Sequence, residues 1–188
     1  MRHFSSLIPH RLLLLSVSFL FAASVAMAQS EPAPAPTLKS ILLEQLKATH
    51  NKEDWFVPVN IAIQGLTPEQ AAWKDASENH SIAQLVNHLI FWNQQQLAKF
   101  KGEKAAPFSG DNKETFSGLD KSSWESTVKQ VDVVLAAWEK AIEEADEAKL
   151  AKWYATIAKI STHNAYHTGQ IIYIRKMQKN WDPEKGVK

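Results

Sequence analysis

A regular apolar seam is the feature that most restricts the fold of this 188-residue chain. Its residues step by four and three positions, in the order Trp124, Val128, Val131, Leu135, Trp138 and Ile142. Such steps place side chains on one face of an α-helix, and that face must be buried against other elements. The pattern therefore predicts a long amphipathic helix, which a capping box at Ser122-Ser123-Trp124-Glu125 begins.

Three further segments carry signals of long helices. Apolar residues at positions 38, 41, 42 and 46 have helical spacing and predict a first helix that extends toward Trp55. A capping box at Ser81-Ile82-Ala83-Gln84 begins a second helix, and a final helix is predicted over about 156–179. A short helical turn is expected at Thr67-Pro68-Glu69-Gln70. Residues 101–120 read as a connection, because they contain Gly, Pro and Ser.

Four long helices without strand-like alternation predict an all-α protein, specifically a four-helix bundle. The seven tryptophans fall mostly on or beside the apolar stripes, so we expect most of them to fill the core.

The first 28 residues resemble a cleaved signal peptide. Arg2 and Arg11 precede a short apolar run from position 12, and Ala26-Met27-Ala28 fits a cleavage site before Gln29. The run is shorter than the roughly 20 residues that a spanning helix needs, so no stable membrane anchor is expected. We therefore expect a signal peptide over 1–28, a Pro/Ala-rich linker over 29–37 and one domain over 38–188, in a periplasmic or secreted protein.

Charge and cysteine content exclude some functions. Loss of Arg2 and Arg11 with the signal changes the formal net charge from +1 to −1, which gives no attraction for nucleic acid. The chain has no cysteine, so it forms no disulfides and supplies no thiol nucleophile of its own.

Three histidines are the candidates for chemistry. His163 and His167 are separated by four residues on the last helix, so both imidazoles lie on the same face. His88 lies at the edge of the apolar face of the second helix. A single inward histidine is usually a hydrogen-bonded core residue, whereas three from two helices can form a metal site. The spacing leaves these two readings open. The intervening Asn164, Ala165 and Tyr166 lack the glutamate of an HExxH metalloprotease.

Other polar residues are expected to lie outside the site. Neighbours of the histidines in sequence point about 100° away around a helix. Asn87 and Tyr166 are such neighbours. The amides of Asn93, Gln95 and Gln170 are expected to be solvated unless they support the histidines. His50 and His80 lie near helix ends and are expected to be exposed or capping.

Several segments resemble the DinB-like superfamily, also called DinB/YfiT-like metalloenzymes. They are residues 81–92 (SIAQLVNHLIFW), 163–171 (HNAYHTGQI), 66–73 (LTPEQAAW) and 173–183 (YIRKMQKNWDP). The resemblance extends from Leu38 to Pro183. It implies an up-down-down-up four-helix bundle with a long crossover between the second and third helices. It also implies a divalent metal ion, Zn or Ni, held by His88, His163 and His167.

The function implied by this resemblance is metal-dependent chemistry on a small molecule. Members include transferases and isomerases that use low-molecular-weight thiols, and relatives often form homodimers. We therefore expect an exported metal-dependent transferase or hydrolase whose substrate or cosubstrate can be a thiol. The alternatives are a metal- or ligand-binding bundle without turnover, and a structural bundle whose histidines are core residues.

Overall fold

The computed structural model describes residues 35–76, 79–117 and 123–186. The described residues are all-α, and no β-strand occurs among them. Four helices are long and two are short. They are α1 (Leu38–His50), α2 (Val59–Ile63), α3 (Pro68–Ala72), α4 (Ile82–Lys101), α5 (Trp124–Glu144) and α6 (Glu147–Met177). A 3₁₀ helix, Asn112–Phe116, lies in the connection between α4 and α5.

Local sequence explains where these helices begin and end. Ser81 and Gln84 form the predicted capping box at the start of α4, and Thr67 and Gln70 form another at α3. Gly102 ends α4 with φ 79°, a left-handed conformation in which glycine carries no Cβ penalty. The start of α5 differs from the prediction, because its N-cap is Ser123 without a side-chain cap bond. Ser122 lies outside the described residues.

The four long helices form a closed bundle in which α1 packs on α5 and α6, and α4 packs on the same two helices. Lys39 contacts the carbonyl of Glu143 while His50 contacts Asp132, so α1 and α5 are antiparallel. Phe100 packs on Trp153 while His88 approaches His163, so α4 and α6 are antiparallel as well.

Because α5 and α6 are joined only by residues 145–146 and reverse direction, the order is up-down-down-up. The parallel pair α4 and α5 requires the long crossover at 102–123 that the resemblance implies.

The core confirms the seam of α5. Every residue of the seam except the partly buried Val128 is buried, and the two indoles donate to backbone carbonyls. Trp124 Nε1 donates to the Leu66 carbonyl at 3.0 Å, and Trp138 Nε1 donates to the Asn93 carbonyl at 3.2 Å. These bonds satisfy the polar atom of each buried ring.

The expectation for the other tryptophans was partly wrong, because Trp55 is 90% exposed and Trp73 is 37% exposed.

Two helix limits differ from the predictions. α1 ends at His50 rather than near Trp55, because Asn51 leaves helical geometry with φ −145°. α6 begins at Glu147 rather than near Thr156, because Asp146 caps it by accepting from the Lys149 backbone N–H at 2.7 Å. The added turns bury Leu150 completely. The short α2 and the 3₁₀ helix were not predicted, since each is too short to show a period.

Arg175 ties the far end of α6 to α2. Its guanidinium donates to the carbonyls of Ala62 at 2.8 Å and Gln64 at 3.1 Å, and also to the Asn180 carbonyl. This contact fixes the register of α6, and therefore the position of its histidines relative to α4.

The expected signal peptide, 1–28, and residues 29–34 of the expected linker lie outside the described residues. Within the part of the chain that the structure describes, no helix combines the length and apolar character that crossing a membrane requires.

Candidate metal centre

Two antiparallel helices bring the three candidate histidines together. His88 projects from the second turn of α4, and His163 and His167 project from the same face of α6. His88 is 3% exposed and His167 is 7% exposed, while His163 is half-buried and faces an open cleft. The site therefore lies at the side of the bundle rather than in its centre.

The Nε2 atoms of the three rings converge. Nε2 of His163 lies 3.0 Å from Nε2 of His88 and 3.1 Å from Nε2 of His167. One nitrogen from each ring lies within 4.8 Å of the other two. The three histidines that the sequence indicated therefore direct one nitrogen each toward a common position.

Hydrogen bonds on the opposite edges of two rings determine which nitrogen carries the proton. The Thr115 hydroxyl donates to the Asn112 carbonyl at 2.6 Å, so its oxygen accepts from Nδ1–H of His88 at 2.5 Å. The Gln170 carbonyl oxygen accepts from Nδ1–H of His167 at 2.6 Å. Both neutral rings consequently direct the lone pair of Nε2 at His163.

Burial keeps the rings neutral. Burial, with smaller contributions from the neighbouring His167 and His163, lowers the pKa of His88 to about 3. Burial and the neighbouring His167 lower the pKa of His163 to about 4. Burial also lowers the pKa of His167, although its bond to Gln170 acts in the opposite direction. Neutral imidazole is the form that binds a metal ion.

This arrangement fits a divalent cation. With Nδ1 protonated on both His88 and His167, His163 can satisfy only one of the two facing lone pairs by donating a proton. Two nitrogens bound to one ion at about 2.0–2.1 Å lie about 3.0–3.4 Å apart, which matches the observed separations. A shared cation would satisfy all three atoms at once. Nδ1 of His163 is buried and has no hydrogen-bond partner among the described residues.

Aromatic rings shield one side of the site. Phe116, from the 3₁₀ helix, stacks on the His88 ring at 3.9 Å between centroids, with the planes 7° apart. His80 stacks on the opposite face of Phe116 at 3.8 Å. Trp92 lies edge-on to His88 at 6.5 Å. These contacts hold the His88 ring in one orientation and exclude solvent from its face.

The other side of the site opens into a cleft of about 720 Å³, a size typical of small-molecule pockets. His163 and His167 lie at its floor with His88. The remaining described residues that line it come from α4, α6 and the crossover. They are Trp92, Gln96, Asn112, Phe116, Thr156, Lys159, Ile160 and Tyr166.

Several residues differ from their predicted roles. Tyr166 lines the cleft, although its position next to His167 had suggested that it points away. Gln170 does support His167. Asn93 and Gln95 are buried rather than solvated, and Asn93 bonds to Asn164 and the Leu89 carbonyl rather than to the site. Asn87 donates to the Ser117 carbonyl and anchors the crossover.

His50 was expected to be exposed or capping, and this was wrong. It is 2% exposed, with Nδ1 2.6 Å from Glu139 and Nε2 3.0 Å from Asp132. It therefore ties the end of α1 to α5 and takes no part in the cluster.

Sequence reasoning missed the residues that the crossover contributes. Thr115 and Phe116 lie in a non-periodic segment, so no spacing connects them with His88. Lys159 carried a usable signal, because it lies four residues before His163 and shares its face of α6.

Comparison with known families identifies the superfamily of this chain. The family model of the DinB superfamily matches residues 59–171, which include all three histidines and more than half of the chain. The chain therefore belongs to the DinB superfamily. Comparisons with curated proteins and with solved structures gave no match.

Proposed function

We propose that this member of the DinB superfamily binds one divalent metal ion, zinc or nickel, through His88, His163 and His167. We further propose that it uses the ion as a transferase or hydrolase acting on a small molecule. The observation that carries the proposal is that Nε2 of His163 lies 3.0 Å from Nε2 of His88 and 3.1 Å from Nε2 of His167. The hydrogen bonds of Thr115 and Gln170 support it, because they leave those nitrogens unprotonated.

An open site favours catalysis over a purely structural role. Structural zinc sites are closed by four protein ligands, whereas catalytic sites have three and leave a position for substrate or water. Here three neutral donors face a cleft of about 720 Å³. When bound, a divalent cation would act as a Lewis acid toward a substrate oxygen or sulfur.

The chain's own residues would prepare that chemistry. Thr115 and Gln170 orient the His88 and His167 rings, and Phe116 excludes water from the face of His88. Because the chain has no cysteine, any sulfur nucleophile must enter with the substrate. A low-molecular-weight thiol is therefore the first class of cosubstrate to test.

Metal analysis tests the binding site. Protein prepared without a histidine tag should contain about one equivalent of zinc or nickel per chain, since three imidazoles form a high-affinity site. His163→Ala should lose the metal. His80→Ala is the matched control, because His80 packs beside the site without joining the cluster. Less than about a tenth of an equivalent in metal-supplemented wild-type protein would refute the proposed site.

Activity tests the second half of the proposal. Electrophilic small molecules should be screened with and without thiol cosubstrates, using metal-loaded wild type and His163→Ala. Turnover that requires His163 supports catalysis through the site. Equal rates for the two proteins would contradict it, and metal binding without turnover would favour a binding protein.

We also propose that the chain is exported, which is supported by the charged, apolar and small-residue pattern of positions 1–28. Mass spectrometry of protein from the native host should find a mature chain beginning at Gln29. An intact N-terminus in that material would refute export by this signal.

A further inference from the structure

We propose that the cleft above the three histidines binds a small organic anion, whose carboxylate pairs with Lys159 while its apolar body lies along Trp92. This inference rests on the proposed metal function and specifies the class of substrate. It depends on three properties of the cleft: its charge, the position of Lys159 and the character of its walls.

The charge of the cleft is entirely positive. None of the described residues that line it is an aspartate or a glutamate, and Lys159 is the one lysine or arginine among them. The three histidines are neutral donors, so a bound divalent ion would keep its full charge. A neutral or cationic ligand would leave these charges uncompensated, whereas an anion would be attracted by both.

Lys159 is placed to reach a ligand that also touches the ion. It lies one helical turn before His163, a rise of about 6 Å along the same face of α6. Its side chain is exposed, and no acidic partner holds it among the described residues. Lys129, by contrast, is paired with Glu125 at 3.0 Å. The ammonium group of Lys159 therefore remains available to a ligand.

The walls of the cleft favour a ligand with a flat apolar body between the metal site and Lys159. The Trp92 indole is held in place by its bond from Nε1 to Oδ1 of Asn112 at 3.1 Å. Phe116 and Ile160 add apolar surface beside it, and the polar Gln96 and Thr156 complete the lining. An aromatic ring or short hydrocarbon would bury apolar area here, while its carboxylate stays near the solvent-exposed lysine.

A pair of probes can isolate the contribution of this charge. 3-Mercaptobenzoate and 3-mercaptobenzamide carry the same aromatic thiol, and they differ in a carboxylate against a neutral amide. Cobalt-loaded protein gives a readout independent of activity, because thiolate binding changes its absorption spectrum. Dissociation constants for both probes should be measured on wild type, Lys159→Gln and Lys159→Arg. Lys176→Gln is the matched control, since Lys176 is exposed on α6 and does not line the cleft.

The expected result is that wild type binds the benzoate at least about fivefold more tightly than the amide. Lys159→Gln should lose most of that preference, because only the attraction of the bound ion remains, whereas Lys159→Arg and Lys176→Gln should retain most of it.

The anion inference would be overturned if wild type and Lys159→Gln preferred the benzoate equally, or if wild type showed no preference for it. In either case the cobalt spectrum would still show that the metal site is present. Failure of wild type to bind cobalt would instead overturn the proposed function, and this inference with it.

Discussion

Thr115 offers a sharp test of how the crossover controls the site. Thr115→Val keeps the shape of the side chain but removes the oxygen that accepts from Nδ1–H of His88. Without that acceptor the His88 ring loses both its fixed orientation and the preference for a lone pair at Nε2. We therefore expect weaker metal binding in a protein that still folds.

The magnitude follows from the type of interaction. Loss of a hydrogen-bond partner behind a metal-bound histidine typically weakens metal affinity 10–100-fold, or about 1.4–2.7 kcal/mol. Thr115 is buried, at 6% exposure, so solvent cannot readily replace its hydroxyl. We expect the upper part of this range if the rearranged ring can no longer place Nε2 near His163.

The assay is competition for zinc against a chelator of known affinity, together with thermal unfolding of the metal-free proteins. Thr49→Val is the matched control, because Thr49 is equally buried and its hydroxyl bonds only to the Leu46 carbonyl of its own helix. Thr115→Ser should recover most of the affinity. Equal zinc affinity of Thr115→Val and wild type would refute the proposed role of this hydroxyl.

Three further predictions concern stability. The hydrogen bond from His50 holds the pKa of Asp132 below its usual 3.8. The stabilisation that this bond gives the folded protein is therefore present above about pH 4 and is lost as the pH falls through the pKa of Asp132 in the folded state. Asp132→Asn should make the melting temperature depend less on pH between pH 5 and 2.5, and the same pH dependence as in wild type would refute this. Gly169 lies in the middle of α6, and a Cβ added there would meet no other atom within 4 Å. Gly169→Ala should therefore raise the free energy of unfolding by about 0.5–1 kcal/mol in urea titrations. A lower free energy of unfolding would contradict the open space at this position. Trp138→Ala should cost about 3–5 kcal/mol, because that ring is fully buried, whereas Trp55→Ala should change stability by less than about 0.5 kcal/mol; similar losses would contradict the burial of these two residues.

Much of the fold was predictable because local rules and packing agree. The seam of α5 and the capping box at Ser81 each reflect interactions within a few residues, and both elements begin close to the predicted positions. The start of α6 was missed, since its signal is a single capping Asp146 rather than an apolar period. The early end of α1 was missed because His50 is held by two carboxylates of α5, a contact distant in sequence.

The candidate site was likewise predictable only where the signal is local in sequence. The i, i+4 spacing of His163 and His167 identified two members, and His88 was recognisable from its helical face and the resemblance. The residues that hydrogen-bond to the histidines were not equally predictable. Gln170 lies one turn from His167 and could be considered, whereas Thr115 is 27 positions from His88 and lies beyond the end of α4, in the crossover.

The amino-acid sequence alone determined that this chain forms amphipathic helices and that two imidazoles share one helical face, because both properties depend on spacing within a few turns. Only the tertiary structure decided that His88 meets that pair, that Thr115 and Phe116 brace it, and that Lys159 faces the same cleft. Those relations depend on the antiparallel packing of α4 on α6 and on the path of the crossover. Both arise from burial of apolar surface across the whole bundle, which no local pattern encodes.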